Sequence, residues 1–247
     1  MAQEEGRPFL EHLESYLARR DGVDKLLKIA RYAAKIAVAA QPSPLPDGAL
    51  DRLRLFEASV GTSRKAFRLG KFVQDVNALL RASKSPHRDR QRWILELIAY
   101  GGEGLYYFVE QFVWLAKTGL INKHHSKKLQ KISAWTEFVG YFGSVILKYQ
   151  EISAMIAREK ALIDAHRRHK REDAASREEI VSLKSQIQSL HSKRFLKTLS
   201  LIQDFADSLL ALSDIRDGRG VLSAPLLLAS AGLVSATISA HKNWNSC

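Results

Sequence analysis

Val221-Leu222-Ser223-Ala224-Pro225-Leu226-Leu227-Leu228-Ala229-Ser230-Ala231-Gly232-Leu233-Val234-Ser235-Ala236-Thr237-Ile238-Ser239-Ala240 is the stretch on which the fold turns. None of its residues is charged. With Gly220 it makes a run of about 21 residues, the length an α-helix needs to cross a hydrocarbon core. His241 and Lys242 follow at once and would sit among the headgroups. Gly232, Ala236 and Ala240 recur every fourth residue, a row of small side chains that lets helices approach closely in lipid. The stretch reads as a transmembrane helix, and the row as its helix-association surface.

Upstream of it, Phe195–Ile215 is amphipathic with Asp204, Asp207 and Asp214, and residues 216–220 form a turn. Residues 148–194 are polar and helix-prone. Ile180, Leu183, Ile187 and Leu190 keep a heptad rhythm there, for fewer repeats than a coiled coil needs. Ile132–Leu147 is apolar but includes Glu137 and is short, about 24 Å as helix. It is expected to pack in or on a membrane without crossing. Ile94–Ala116 has the length of one crossing, yet it carries Glu96, Glu103 and Glu110, seven residues apart, and a break at Gly101-Gly102-x-Gly104. An acidic side chain costs about 2.5–3.5 kcal/mol at mid-bilayer on insertion scales. A re-entrant or surface-lying helix pair is therefore an equal reading. The three glutamates form either a solvated face or the lining of a polar path, which makes them candidate pore-lining residues.

The N-terminal part is basic: through Arg92 it holds 18 Lys and Arg against 11 Asp and Glu. Residues 9–40 read as helix interrupted at Asp21-Gly22, with Asp24 capping a second helix through Ala40. The prolines of 41–48 make a loop. Over 50–82, Leu55, Ala58, Ala66, Leu69, Val73, Val76 and Leu80 share one stripe, with Arg54, Arg64, Arg68 and Lys71 on another side. Gly61 and Gly70 let this helix bend. Such a helix can wedge apolar side chains below the headgroups while its cations meet anionic phosphates. The bland reading is a bundle helix with a solvated basic face. A polar linker, 83–92, follows.

The formal net charge is +12, which points to an anionic partner without saying which. Cys247 is the one cysteine, so there is no intramolecular disulfide and no zinc ribbon. The N-terminus has no apolar signal region. His124-His125 and His166-Arg167-Arg168-His169 lack ligand spacing for a metal. The basic run 167–171 has no nucleic-acid motif beside it. No catalytic constellation and no cofactor fingerprint is found.

Several segments in order resemble the peroxin-eleven family: residues 20–28 (RDGVDKLLK), 63–71 (SRKAFRLGK), 99–108 (AYGGEGLYYF), 131–135 (KISAW), 214–218 (DIRDG), 232–235 (GLVS) and 242–244 (KNW). The resemblance covers nearly the whole chain and is weakest over 158–194. It implies an all-α integral membrane protein of the peroxisome, with N-terminal amphipathic helices and one to three membrane-embedded helices. It also implies a function in elongation, duplication and proliferation of peroxisomes, with a metabolite pore as the alternative. Implied partners are an anionic phospholipid membrane, further copies and paralogues of the chain, a fission-one adaptor and a dynamin-related GTPase. The membrane-deforming helix maps onto Arg64, Lys65, Phe67, Arg68, Leu69, Lys71 and Phe72, extended by Arg54, Val73 and Val76 on the stripe argument. The expected organisation is a cytosolic amphipathic region (1–92), apolar membrane-associated helices (93–147), a charged helical loop (148–194), and an amphipathic helix followed by the C-terminal span (195–247). The N-terminus is expected in the cytosol. A single crossing at 220–240 would place Cys247 in the matrix.

Overall fold

The computed structural model describes residues 8–40, 48–84, 89–171 and 177–247. The proline-rich run at 41–47, residues 85–88 of the basic linker, and Glu172 and Asp173 lie outside the described residues. The described chain is helical, with no strand. It forms α1 (Phe9–Ala18), α2 (Arg20–Ala39), α3 (Ala49–Phe67), α4 (Phe72–Ser83), α5 (Arg90–Thr118), α6 (Ser126–Arg171), α7 (Arg177–Ile215) and α8 (Pro225–Trp244).

Six of these helices close a ring. α2 packs on α3, α3 on α5, α5 on α6, α6 on α7, α7 on α8, and α8 returns to α2. α1 lies outside the ring against α2, and α4 lies outside it against α5. α1 and the residue after it meet the C-terminal end of the chain. His12 Nε2 is 3.0 Å from the Trp244 carbonyl, its ring centre lies 4.2 Å from that of Trp244 with the planes tilted by 52°, and Arg19 Nη1 donates to the Ser246 carbonyl at 2.7 Å.

Three local features depart from the sequence reading. The first break falls at Arg19, in extended backbone, so Asp24 lies inside α2 and does not cap it. The long helix at 50–82 is two helices, divided at Arg68–Lys71, where Gly70 takes a φ of 73° that side chains disfavour. α5, in contrast, runs unbroken through Gly101–Gly104. Its glycine at 102 serves a close crossing: a Cβ there would stand 2.6 Å from the Gly140 Cα on α6.

The expected span at 221–240 also differs. Val221–Ser223 is a single 3₁₀ turn, and α8 begins only at Pro225, a residue suited to the first helical position. Gly232, Ser235, Ala236 and Ser239 are buried, and a Cβ on Gly232 would fall 2.1 Å from the Tyr32 ring of α2. Gly232 of the small-residue row therefore associates with a helix of its own chain. Among the described residues, no helix is long and apolar enough to cross a membrane.

Part of the ring reverses the usual polarity, alongside a buried apolar set that includes Leu95, Val113 and Ala236. Phe142 is 66% exposed and Arg64 is 4% exposed. Outward-facing apolar side chains include Leu105, Phe108 and Phe112 on α5, Ile132, Trp135 and Val139 on α6, and Phe195, Ile202 and Phe205 on α7. Inward-facing charges come from α2, α3, α5, α6 and α7. The usual sorting in water places the charges outside.

Candidate functional site

The ring encloses a cavity of about 580 Å³ with mainly polar walls. Each wall helix contributes through an ion pair or hydrogen bond to its neighbour. On α2, Asp24 accepts from Arg64 Nε of α3 at 3.0 Å and lies 3.6 Å from Arg68 Nε. One helical turn on, Lys28 Nζ donates to Asp207 of α7 at 2.8 Å and to Ser235 of α8 at 2.5 Å. Lys65 pairs with Glu110 of α5, which also accepts from Ser133 of α6 at 3.2 Å. Arg68 Nη1 donates to the Tyr106 hydroxyl at 2.6 Å. Lys148 and Ser144 of α6 both donate to Asp204 of α7, at 2.5 and 2.7 Å. A buried charge is tolerated only with a partner of this kind. Burial pushes the Asp24 carboxyl up, but Arg68, Arg64 and Lys25 outweigh it and hold the group far below the usual carboxylate range.

The residues singled out for membrane contact divide into two sets. Arg64, Lys65 and Arg68 turn inward to Asp24, Glu110 and Tyr106. Lys71 pairs with Asp21 at 3.3 Å and lies 5.0 Å above the Tyr107 ring. These four differ from the headgroup-facing arrangement expected of them. The physical cause is a set of acceptors on other helices, buried for Arg64, Lys65 and Arg68 and half-buried for Lys71, which no helical stripe can reveal. Phe67 and Leu69 are half-buried, and Phe72 meets the edge of Phe108 at 5.5 Å between ring centres. Arg54, Val73 and Val76 are exposed. Val73, Val76 and Leu80 form one outward row along α4, with Arg81 and Lys84 exposed at its end.

α4 is held to α5 by a close approach of Asp75 to Gly104, where a Cβ would lie 3.1 Å from that of Asp75. Asp75 is buried, and its Oδ2 has no hydrogen-bond partner. Burial and then the charge of Glu103 push its carboxyl up to about 7, against the pull of Lys71. A group raised in this way favours the docked state while protonated, so docking weakens as pH rises from about 4 to about 7. Hydrogen exchange of the α4 amides, corrected for intrinsic rate, is expected to accelerate across that window. Asp75→Asn is expected to flatten the dependence, and an equally steep profile in that variant would refute the assignment.

The family model described as Peroxisomal biogenesis factor 11 (PEX11) matches residues 10–244 of this chain. The chain belongs to the PEX11 family. It is 53% identical over 241 residues to Peroxisomal membrane protein 11A of Arabidopsis thaliana, covering 98% of this chain and 94% of that protein. Peroxisomal membrane protein 11-3 of Oryza sativa subsp. japonica is also 53% identical, over 98% of this chain and 91% of the relative. Peroxisomal membrane protein 11-2 of the same rice is 45% identical over the same shares. No solved structure matches the chain.

In this PEX11 chain the three glutamates of α5 are not brought together. Glu103 and Glu110 border the cavity, whereas Glu96 lies to one side, paired with Arg92 at 3.0 Å. The sequence reading gives Asp24 a capping role, quotes it with Lys28 and Ser235 only inside the family segments, passes over Ser144 and Lys148, and leaves Asp204 and Asp207 without a role. A signal for them exists. Asp24 and Lys28, like Arg64 and Arg68, are four residues apart on one helix face, and Asp204 and Asp207 share a face three apart.

Proposed function

We propose that this PEX11-family protein resides in the peroxisomal membrane and elongates it, promoting peroxisome duplication and proliferation. The observation that carries the reading is the exposed row Val73, Val76 and Leu80 on α4, a short helix standing outside the ring. Such a row inserts into one leaflet and expands it, which favours curvature. Headgroup contact then falls to Arg54, Arg81 and Lys84, because Arg64, Lys65 and Arg68 are engaged inside.

The ring supports immersion. The outward apolar residues of α5 run from Ile94 to Phe112, about 27 Å of helix, and those of α6 from Ile132 to Tyr149, about 26 Å. A hydrocarbon core is about 30 Å thick. The opposite face of α5 carries Glu103 and Glu110 toward the cavity, so only its outward face is apolar.

For the full-length protein in anionic liposomes, Val73→Asp combined with Val76→Asp is expected to suppress tubulation. Each carboxylate costs up to about 2.5–3.5 kcal/mol on immersion, so even a partial penalty shifts insertion more than tenfold. Tubulation equal to that of the unchanged protein would refute the wedge.

The contact of α1 with Trp244 and Ser246 bears on topology. With α1 on the cytosolic side, Cys247 lies on the cytosolic side too. A membrane-impermeant thiol reagent is expected to label Cys247, the one cysteine, on intact peroxisomes. Labelling only after detergent would place the ends on opposite sides. The pore alternative is weaker on this geometry, because Glu96 is off the cavity and Glu110 is held by Lys65 and Ser133.

A further inference from the structure

The α2–α3–α5 corner of the cavity carries more positive charge than its partners neutralise. Lys25, Lys28, Arg64, Lys65 and Arg68 converge there on three carboxylates, Asp24, Asp207 and Glu110. Asp24 alone serves three of the five cations. The surplus persists over the whole lining, where ten Lys and Arg side chains face seven Asp and Glu, or eight with Asp24 behind them. Arg68 Nε is buried without a hydrogen-bond partner. Burial and then the charge of Lys71 bring the Lys25 ammonium down to about 8, although Asp24 pulls the other way. A surplus of two cations beside a guanidinium N–H that is ion-paired at 3.6 Å but makes no hydrogen bond is an arrangement that an anion would complete.

We propose that this corner of the cavity binds a phosphate group, borne by a small soluble molecule or by a lipid headgroup. Guanidinium forks fit phosphate oxygens in pairs, and ammonium groups add point charge. A phosphomonoester near neutral pH carries between one and two negative charges, which matches the surplus of two. A single carboxylate leaves part of that surplus unmet. The volume of about 580 Å³ admits a molecule well beyond inorganic phosphate in size. The inference concerns the interior of the ring and stands independently of the wedge on α4.

The test uses the full chain purified in a non-ionic detergent. Calorimetric titrations are made with inorganic phosphate, with glycerol 3-phosphate, and with phosphatidic acid in mixed micelles, against phosphatidylcholine as control. Lys25→Gln is the first variant, because the Lys25 hydrogen bond is to the adjacent Asp24 and its removal relieves repulsion with Lys71. Its unliganded melting temperature is expected to hold or rise while phosphate affinity falls about tenfold or more. Arg68→Lys, which keeps the charge and loses the fork, is expected to weaken binding as well, and serves if the first variant does not fold. Lys25-dependent binding of the soluble phosphates identifies a free ligand. Lys25-dependent binding of phosphatidic acid alone identifies a headgroup. Absence of binding in all three arms, or affinity unchanged in the folded variants, overturns the proposal.

Discussion

Gly101→Ala is expected to stabilise the protein and Gly102→Ala to destabilise it, although the two glycines are neighbours on one helix. In a helix interior, alanine is better than glycine by about 0.8–1 kcal/mol. At Gly101 nothing opposes that gain: the nearest atom to an added Cβ is Leu97 Cδ1 at 3.9 Å. At Gly102 the same methyl would stand 2.6 Å from both Cα and N of Gly140 and 2.9 Å from the Thr136 carbonyl. These are backbone atoms of α6, and no rotamer change moves them. The helices must separate, and the Leu95, Ala99 and Leu147 cluster at the same crossing loosens with them. Overpacking of this kind costs about 1–3 kcal/mol and occasionally more, which outweighs the propensity gain. Thermal melting by tryptophan fluorescence in detergent reads both variants. The expected result is a higher melting temperature for Gly101→Ala and a clearly lower one for Gly102→Ala, with Gly102→Val failing to give a monodisperse protein. Equal shifts in the two alanine variants would show that the glycines are there for flexibility and not for the crossing.

The same pair explains what was legible in the sequence. A Gly-rich run inside an apolar stretch reads locally as a break, and only the facing Gly140 and Gly143 on α6 turn it into a contact. Helical rhythm, the proline loop at 41–48 and the turn at 216–220 sufficed for the all-α class, because those are local properties. The orientation of the helices was not local. Leu55, Val73, Val76 and Leu80 form an apolar stripe that water would bury, and all four are exposed. Arg64 and Arg68 form a polar stripe that water would solvate, and both turn to Asp24. Periodicity gives the existence of two faces and not which of them points inward. That choice depends on acceptors 40 or more residues away, such as Asp24 for Arg64 and Glu110 for Lys65. One-turn pairs such as Arg64 and Arg68 mark polar positions on each helix, but no spacing in the chain says that six helices bring them to one cavity.

Asp24→Asn is expected to be the most damaging single change in the ring. The side chain is 1% exposed and is the shared counter-ion of Arg64, Arg68 and Lys25. The amide keeps the shape and one acceptor oxygen but removes the charge. Two guanidinium groups, neither of which can discard its proton in this setting, then remain enclosed without compensation. Breaking a buried pair by removing one partner costs about 3–5 kcal/mol, a large part of the stability of a domain of ordinary size. Loss of the fold in this variant has a built-in control: Asp24→Asn combined with Arg64→Gln removes a cation with its anion and is expected to recover part of the loss, a coupling a double-mutant cycle measures. The pH dependence gives a second check. The folded carboxyl is depressed below its ordinary value of 3.8, so its contribution is fully present above about pH 4 and is lost progressively as pH falls below that value. The unchanged protein is expected to lose stability on acidification in that range, and Asp24→Asn to lack this component. If the amide variant melted at the same temperature as the unchanged protein and acidified along the same curve, Asp24 would be a bystander, and the charged interior would owe its order to the other pairs, Lys28–Asp207, Lys65–Glu110 and Lys148–Asp204.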